Sequence, residues 1–75
     1  KYEEALGDYD KAVLLDPSFG IVYANRAVVH AIVGNDEAAD KDLLLADETG
    51  IGSDILREEV QLIRSQRGSS PVESE

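Results

Sequence analysis

The sequence predicts an all-α fold, four antiparallel helices joined by short turns. Three observations carry that prediction. Apolar residues recur at helical spacing through most of the 75 residues, and no alternating stretch suggests a strand. Helix stops and starts punctuate the chain at Asp16-Pro17, at Gly34-Asn35 and at Thr49-Gly50-Ile51-Gly52. The chain also repeats itself. A shift of 34 residues lays Glu3 on Glu37, Ala5 on Ala39, Asp8 on Asp42, Tyr9 on Leu43 and Ala12 on Ala46. The same shift pairs Ile21 with Ile55, Val22 with Leu56, Val28 with Leu62 and Val29 with Ile63.

The first helix is expected over Tyr2–Leu15. Tyr2, Ala5, Leu6, Tyr9, Ala12 and Val13 form its apolar stripe, with Glu3, Glu4, Asp8, Asp10 and Lys11 turned outward. Gly7 costs it about 1 kcal/mol against Ala. Asp16-Pro17 ends it, because the residue before proline is pushed out of the helical region.

Ser18 is the expected cap of a second helix, about Phe19 to Val33, ended by Gly34. Its Tyr23–Gly34 stretch is apolar nearly all round and so must be covered on most sides. Its Val and Ile residues lower helix propensity, so its stability has to come from packing.

A third helix is expected from Asp36 to Glu48, with Asp36 and Glu37 at the positive end of its dipole. Ala38, Ala39, Leu43, Leu44 and Ala46 make its apolar side. The glycines of Thr49–Gly52 can take positive φ and turn the chain. Ser53 or Asp54 then caps a fourth helix to about Gln66, whose stripe is Ile55, Leu56, Val60, Leu62 and Ile63. Arg64 and Arg67 fall where cations suit its dipole. Residues 68–75 are too polar to pack and read as a disordered tail.

Composition narrows the function. The net charge of −9 argues against a nucleic-acid binder, which would carry a basic footprint. Acid concentrates on Lys1–Pro17 and Asn35–Thr49, whereas Arg26 is the one charged residue of Ser18–Gly34. Asp36, Glu37, Asp40, Asp42, Asp47 and Glu48 are therefore expected on a solvated outer face. No apolar run approaches the roughly 18 residues that cross a bilayer, so no membrane partner is expected. The lack of cysteine removes disulfides, thiolate metal sites and thiol nucleophiles, and fits a reducing, cytoplasmic setting.

Catalysis has no visible machinery. His30 is the only histidine and has no partner Ser, Cys or ligand-spaced His; a packing or helix-capping role is expected of it. Asp8/Asp10 and Asp40/Asp42 look paired, yet two residues apart on a helix they diverge by about 200° and cannot share a metal or proton. No glycine-rich loop follows a strand to cradle phosphate. A non-enzyme without cofactor or metal is expected.

A 34-residue helix–turn–helix unit of this kind resembles the tetratricopeptide repeat, patterned as W-x2-L-G-x2-Y, A-x3-F and P. Tyr23, Arg26, Ala27 and His30 stand in the first four slots, and Ala39 and Leu43 in the next two. Ala5, Tyr9, Ala12 and Pro17 stand in the slots of a preceding second helix, with Tyr-Glu-Glu-Ala and Leu-Asp-Pro the clearest pieces. The resemblance implies that residues 1–17 are the second helix of a preceding repeat and 18–52 one full repeat. It makes 53–67 a capping helix that closes an α-solenoid.

Arg26, Ala27 and His30 depart from the Leu, Gly and Tyr of the pattern, although Asn-Arg-Ala at Asn25–Ala27 is common in the family. Asp36 stands where Tyr2 does, and Ile51 where Pro17 does, as in a degenerate terminal repeat.

Such arrays bind peptides or partner helices in a groove lined by the first helix of each repeat. Carried onto this chain, the lining is Ile21, Ala24, Asn25, Val28 and Ile32, of which residues 21, 25, 28 and 32 share one helical stripe. Asn25 matches an asparagine that helps grip a C-terminal carboxylate in the co-chaperone branch. The slots that would supply basic residues hold Ile55 and Glu59 instead. The function this implies is protein–protein interaction. The alternatives are self-association through the same apolar surfaces, as a two-fold homodimer, and a non-catalytic appendage of a larger enzyme.

Overall fold

A computed structural model describes residues 1–52 and 54–69. Four helices run through them: α1 (Tyr2–Leu15), α2 (Gly20–Val33), α3 (Asp36–Glu48) and α4 (Asp54–Ser69). The described residues contain no strand, and none of their helices is long and apolar enough to cross a membrane. The 34-residue period is kept in three dimensions. Helix starts at residues 2 and 36, and again at 20 and 54, are 34 apart.

α1 and α3 have the expected bounds, and the other two helices differ from expectation at their ends. Ser18 does not cap α2. Its N–H and hydroxyl both donate to Asp16 Oδ1, at 3.1 and 2.8 Å, which closes a side-chain turn around Pro17. The N-cap is Phe19, and α2 starts at Gly20. α4 continues to Ser69, through two residues expected in the tail. The rest of that expected tail, 70–75, and the expected cap Ser53 lie outside the described residues.

Two helices end in the same motif. Gly34 takes φ 92°, its N–H donates to Ala31 O at 3.3 Å, and the Asn35 N–H donates to His30 O at 2.8 Å. Gly50 takes φ 93°, with Gly50 N–H to Asp47 O at 3.0 Å and Ile51 N–H to Ala46 O at 3.1 Å. Both are Schellman ends, which need a left-handed residue that glycine adopts without a Cβ penalty.

α2 is the hub. It packs on α1, α3 and α4, and the backbone of α1 comes near neither α3 nor α4. Its apolar character is thereby explained: Gly20, Val22, Tyr23, Ala24, Ala27, Val29 and Ala31 are all buried. The core cluster is Ala27, Ala31, Ala39, Leu43 and Val60, with Val28, Leu56 and Ile63 packed against it. Alanine at so many contact positions lets helix backbones approach closely but contributes little apolar volume. The two largest fully buried side chains are Val60 and Asp42. Polar geometry therefore has an unusual share in fixing how these helices sit.

Candidate functional site

The predicted groove residues all lie on α2 but differ in exposure. Ile21 is 43% exposed and Asn25 is exposed. Val28 and Ile32 are half-buried, Val28 against the core cluster. Ala24 is buried. The stripe thus grades from an open end at Ile21–Asn25 into the core near Val28. On α4, Ile55 and Leu62 stand 34 residues after Ile21 and Val28, and both are exposed. Their neighbours one position on, Leu56 and Ile63, pack inward. Ile21 and Ile55 therefore correspond as open positions of α2 and α4, whereas Leu62 is exposed where Val28 is half-buried.

Two surface depressions among the described residues lie away from these side chains. One, at the turn between α2 and α3, is lined by Gly34, Asn35, Asp36, Glu37 and Ala38. The other lies between α3 and α4 and is lined by Asp40, Leu43, Arg57, Val60, Gln61 and Arg64. No group of three His, Cys, Asp or Glu among the described residues is placed to hold a metal ion.

The expectation that all six acids of α3 are solvated fails at Asp42. That residue is 2% exposed and is clamped by Arg26 of α2. Arg26 Nε donates to Asp42 Oδ2 and Nη2 to Oδ1, both at 2.8 Å. Arg26 Nη1 also reaches α1, donating to Asp10 Oδ1 at 3.0 Å. The hydrogen bond to Asp42 raises the Arg26 pKa above its ordinary value, against the opposing effect of burial. The guanidinium also lies 5.7 Å from the Tyr23 ring centroid, within cation–π range. One arginine thus ties three helices together. Composition alone hid this, because Asp42 sits in an acidic run. The available signal was positional: Arg26 is the one charge on an apolar helix, and Asp42 lies between Ala39 and Ala46 at helical spacing.

His30 stands beside this clamp, with Nε2 3.9 Å from Asp42 Oδ2. Its Nδ1 lies 3.2 Å from Asn35 Nδ2 across the turn. Tyr23, buried, donates its hydroxyl to Pro17 O at 2.6 Å.

A second polar network fastens α4. Arg67 Nη1 donates to Ala31 O at 2.6 Å, satisfying a carbonyl in the last turn of α2. The same guanidinium binds Asp36 in a fork, Nη1 to Oδ1 at 3.1 Å and Nη2 to Oδ2 at 2.9 Å. Arg64 Nη2 donates to Asp36 O at 3.0 Å and to Asp40 Oδ1 at 2.8 Å. The Arg67 hydrogen bond, aided by the charges of Arg67 and Arg64, holds the Asp36 carboxyl below the ordinary carboxylate value. The expected role of these arginines at the α4 dipole is therefore incomplete. Their guanidinium groups bridge to the end of α2 and the start of α3.

Compared with protein-family models, with characterised proteins and with solved structures, the chain finds no match.

Proposed function

We propose that this chain is a piece of a tetratricopeptide-like helical repeat, serving as a protein-interaction module and not as a catalyst. The observation that carries the reading is the uncovered side of α2. Three helices pack on it, yet Ile21 and Asn25 stay open, and α4 continues the apolar side with Ile55 and Leu62. Open apolar side chains on two helices in the same register suit a peptide or partner helix lying across both. The site supplies apolar contact and one amide, from Asn25. A partner with apolar anchors at helical or extended spacing fits that chemistry better than a charged one.

Peptides selected from a random display library on the immobilised chain test the proposal. Selected peptides should bind Ile21→Glu and Ile55→Glu at least about tenfold more weakly, with helical content unchanged in both variants. Peptides that bind both variants as well as the parent would overturn the groove assignment.

A further inference from the structure

α1 and α3 occupy the same place in the 34-residue period, but only α3 is covered on both sides. α3 meets α4 through Asp36, Asp40 and Asp47, which bond Arg67, Arg64 and Arg57. The counterparts in α1 are Tyr2, Leu6 and Val13, on the stripe that includes Asp10, the residue Arg26 binds. A different stripe of α3, about 100° round the helix, faces α2. It consists of Ala39, Asp42 and Ala46, which are 0%, 2% and 0% exposed. The counterparts in α1 are Ala5, Asp8 and Ala12, identical in type. There Asp8 is exposed and the alanines are only half-buried, while Leu15, one turn further on, is 87% exposed.

We infer that the Ala5–Asp8–Ala12 face of α1 is a docking site for a partner helix of α2's chemistry, carrying an arginine that clamps Asp8 as Arg26 clamps Asp42. Two independent features of this molecule support the assignment. The same three residue types, at the same spacing, already receive such a helix in α3, with bidentate geometry at 2.8 Å. Charge complementarity is the second: an open aspartate between two small residues selects a cation that can come close, and a planar guanidinium fits a carboxylate with two bonds. Arg26 itself cannot serve Asp8. It is already engaged by Asp42 and Asp10, and Asp8 lies about 200° round the helix from Asp10.

A second copy of this chain fits poorly. Its α2 is occupied on three sides, and its α4 presents Val60 where α2 presents Arg26, with Val60 buried in its own core. The partner is thus a mostly apolar helix that these 75 residues do not contain. It has small residues where α2 has Ala27 and Ala31, and an arginine one position before the first of them. Leu15 would be covered by the start of that helix, just as its counterpart Thr49 packs beside Gly20 at the start of α2.

The test uses the whole 75-residue chain and a synthetic peptide with the sequence of Gly20–Gly34, followed by a neutral polar tail for solubility. Titration followed by amide NMR should give saturable shifts centred on Ala5, Asp8 and Ala12. Replacing the peptide's arginine by Gln, or Asp8→Asn in the chain, should weaken binding about tenfold or more, the worth of a charge-assisted pair. Ile21→Glu should leave this binding unchanged, which separates it from the α2 groove. As a second measurement, the same 15-residue segment is joined directly ahead of Lys1. The joined segment should protect the Ala5, Asp8 and Ala12 amides from exchange and raise the unfolding midpoint, the gain falling in the Asp8→Asn version. Absence of protection in the joined chain, binding indifferent to both the arginine and Asp8, or burial of this face by self-association of the chain alone would each overturn the inference.

Discussion

Arg26 and Asp42 meet through two parallel hydrogen bonds of 2.8 Å, at a point where the aspartate has almost no contact with water. Removing one member leaves a buried charge without its counter-charge, which costs about 3–5 kcal/mol in comparable pairs. Arg26→Met should therefore destabilise by about 3 kcal/mol, toward the lower end because the arginine retains some exposure. It would leave Asp42 with His30 at 3.9 Å. Asp42→Asn should cost less, since Arg26 keeps Asp10, but well over the ~0.5 kcal/mol typical of a surface site. Urea unfolding followed by circular dichroism measures both. Near-neutral values would mean that the clamp contributes nothing to stability.

The Asp36–Arg67 fork makes a pH-dependent prediction. Asp36 binds its proton more weakly in the folded chain than its ordinary value of 3.8, because the carboxylate is held by Arg67 and Arg64. The unfolded chain therefore binds more protons near that pH, so stability falls as the solution is acidified through this range. The contribution is fully present above 3.8 and disappears below the depressed folded value. Asp36→Asn should be less stable than the parent at pH 7, and the difference should shrink as the pH drops well below 3.8. Thermal midpoints from pH 7 to pH 2 would reveal this. A difference that does not change with pH would assign the loss to packing rather than charge.

Helix number, order and period were legible in the residues because they depend on local chemistry. Pro17, Gly34 and Gly50 each change backbone preference within a residue or two, and apolar spacing is itself a one-dimensional pattern. Burial was less legible. Asp42 and Asp40 look alike in the sequence, and which one faces α2 depends on helix rotation, settled only when Ala39 and Ala46 pack. The groove stripe failed to be uniform for the same reason. Val28 shares a stripe with Ile21, yet Val28 packs against the core cluster while Ile21 stays 43% exposed. The long reach of Arg64 and Arg67 is a tertiary matter that helix-dipole reasoning cannot anticipate.

That gradation along α2 separates two substitutions that look equivalent on a helical wheel. Val28→Glu puts a carboxylate against the apolar core cluster and should destabilise by several kcal/mol. Ile21→Glu replaces a side chain already 43% exposed and should change stability by about 1 kcal/mol or less. Denaturant midpoints of the two variants give the comparison. Equal losses would place Ile21 in the core as firmly as Val28.

The two helical glycines near α1 and α2 give the sharpest contrast. Gly7 lies in the middle of α1, and a Cβ built there meets nothing within 4 Å. Gly7→Ala should therefore stabilise by about 1 kcal/mol through helix propensity alone. Gly20 opens α2, where a Cβ would overlap Thr49 Oγ1 and lie 2.5 Å from Ile51 Cγ1. The threonine cannot swing aside freely, because its hydroxyl donates to Ala46 O at 2.8 Å. Gly20→Ala should thus force the end of α3 away from α2 and cost about 1–3 kcal/mol, the usual range for overpacking. Thr49→Ala in the same chain should recover part of that cost by removing the overlapping atom. Thermal unfolding of the three variants decides the point: if Gly20→Ala is as stable as Gly7→Ala, the close approach of α2 to the α3 terminus is not a constraint on the fold.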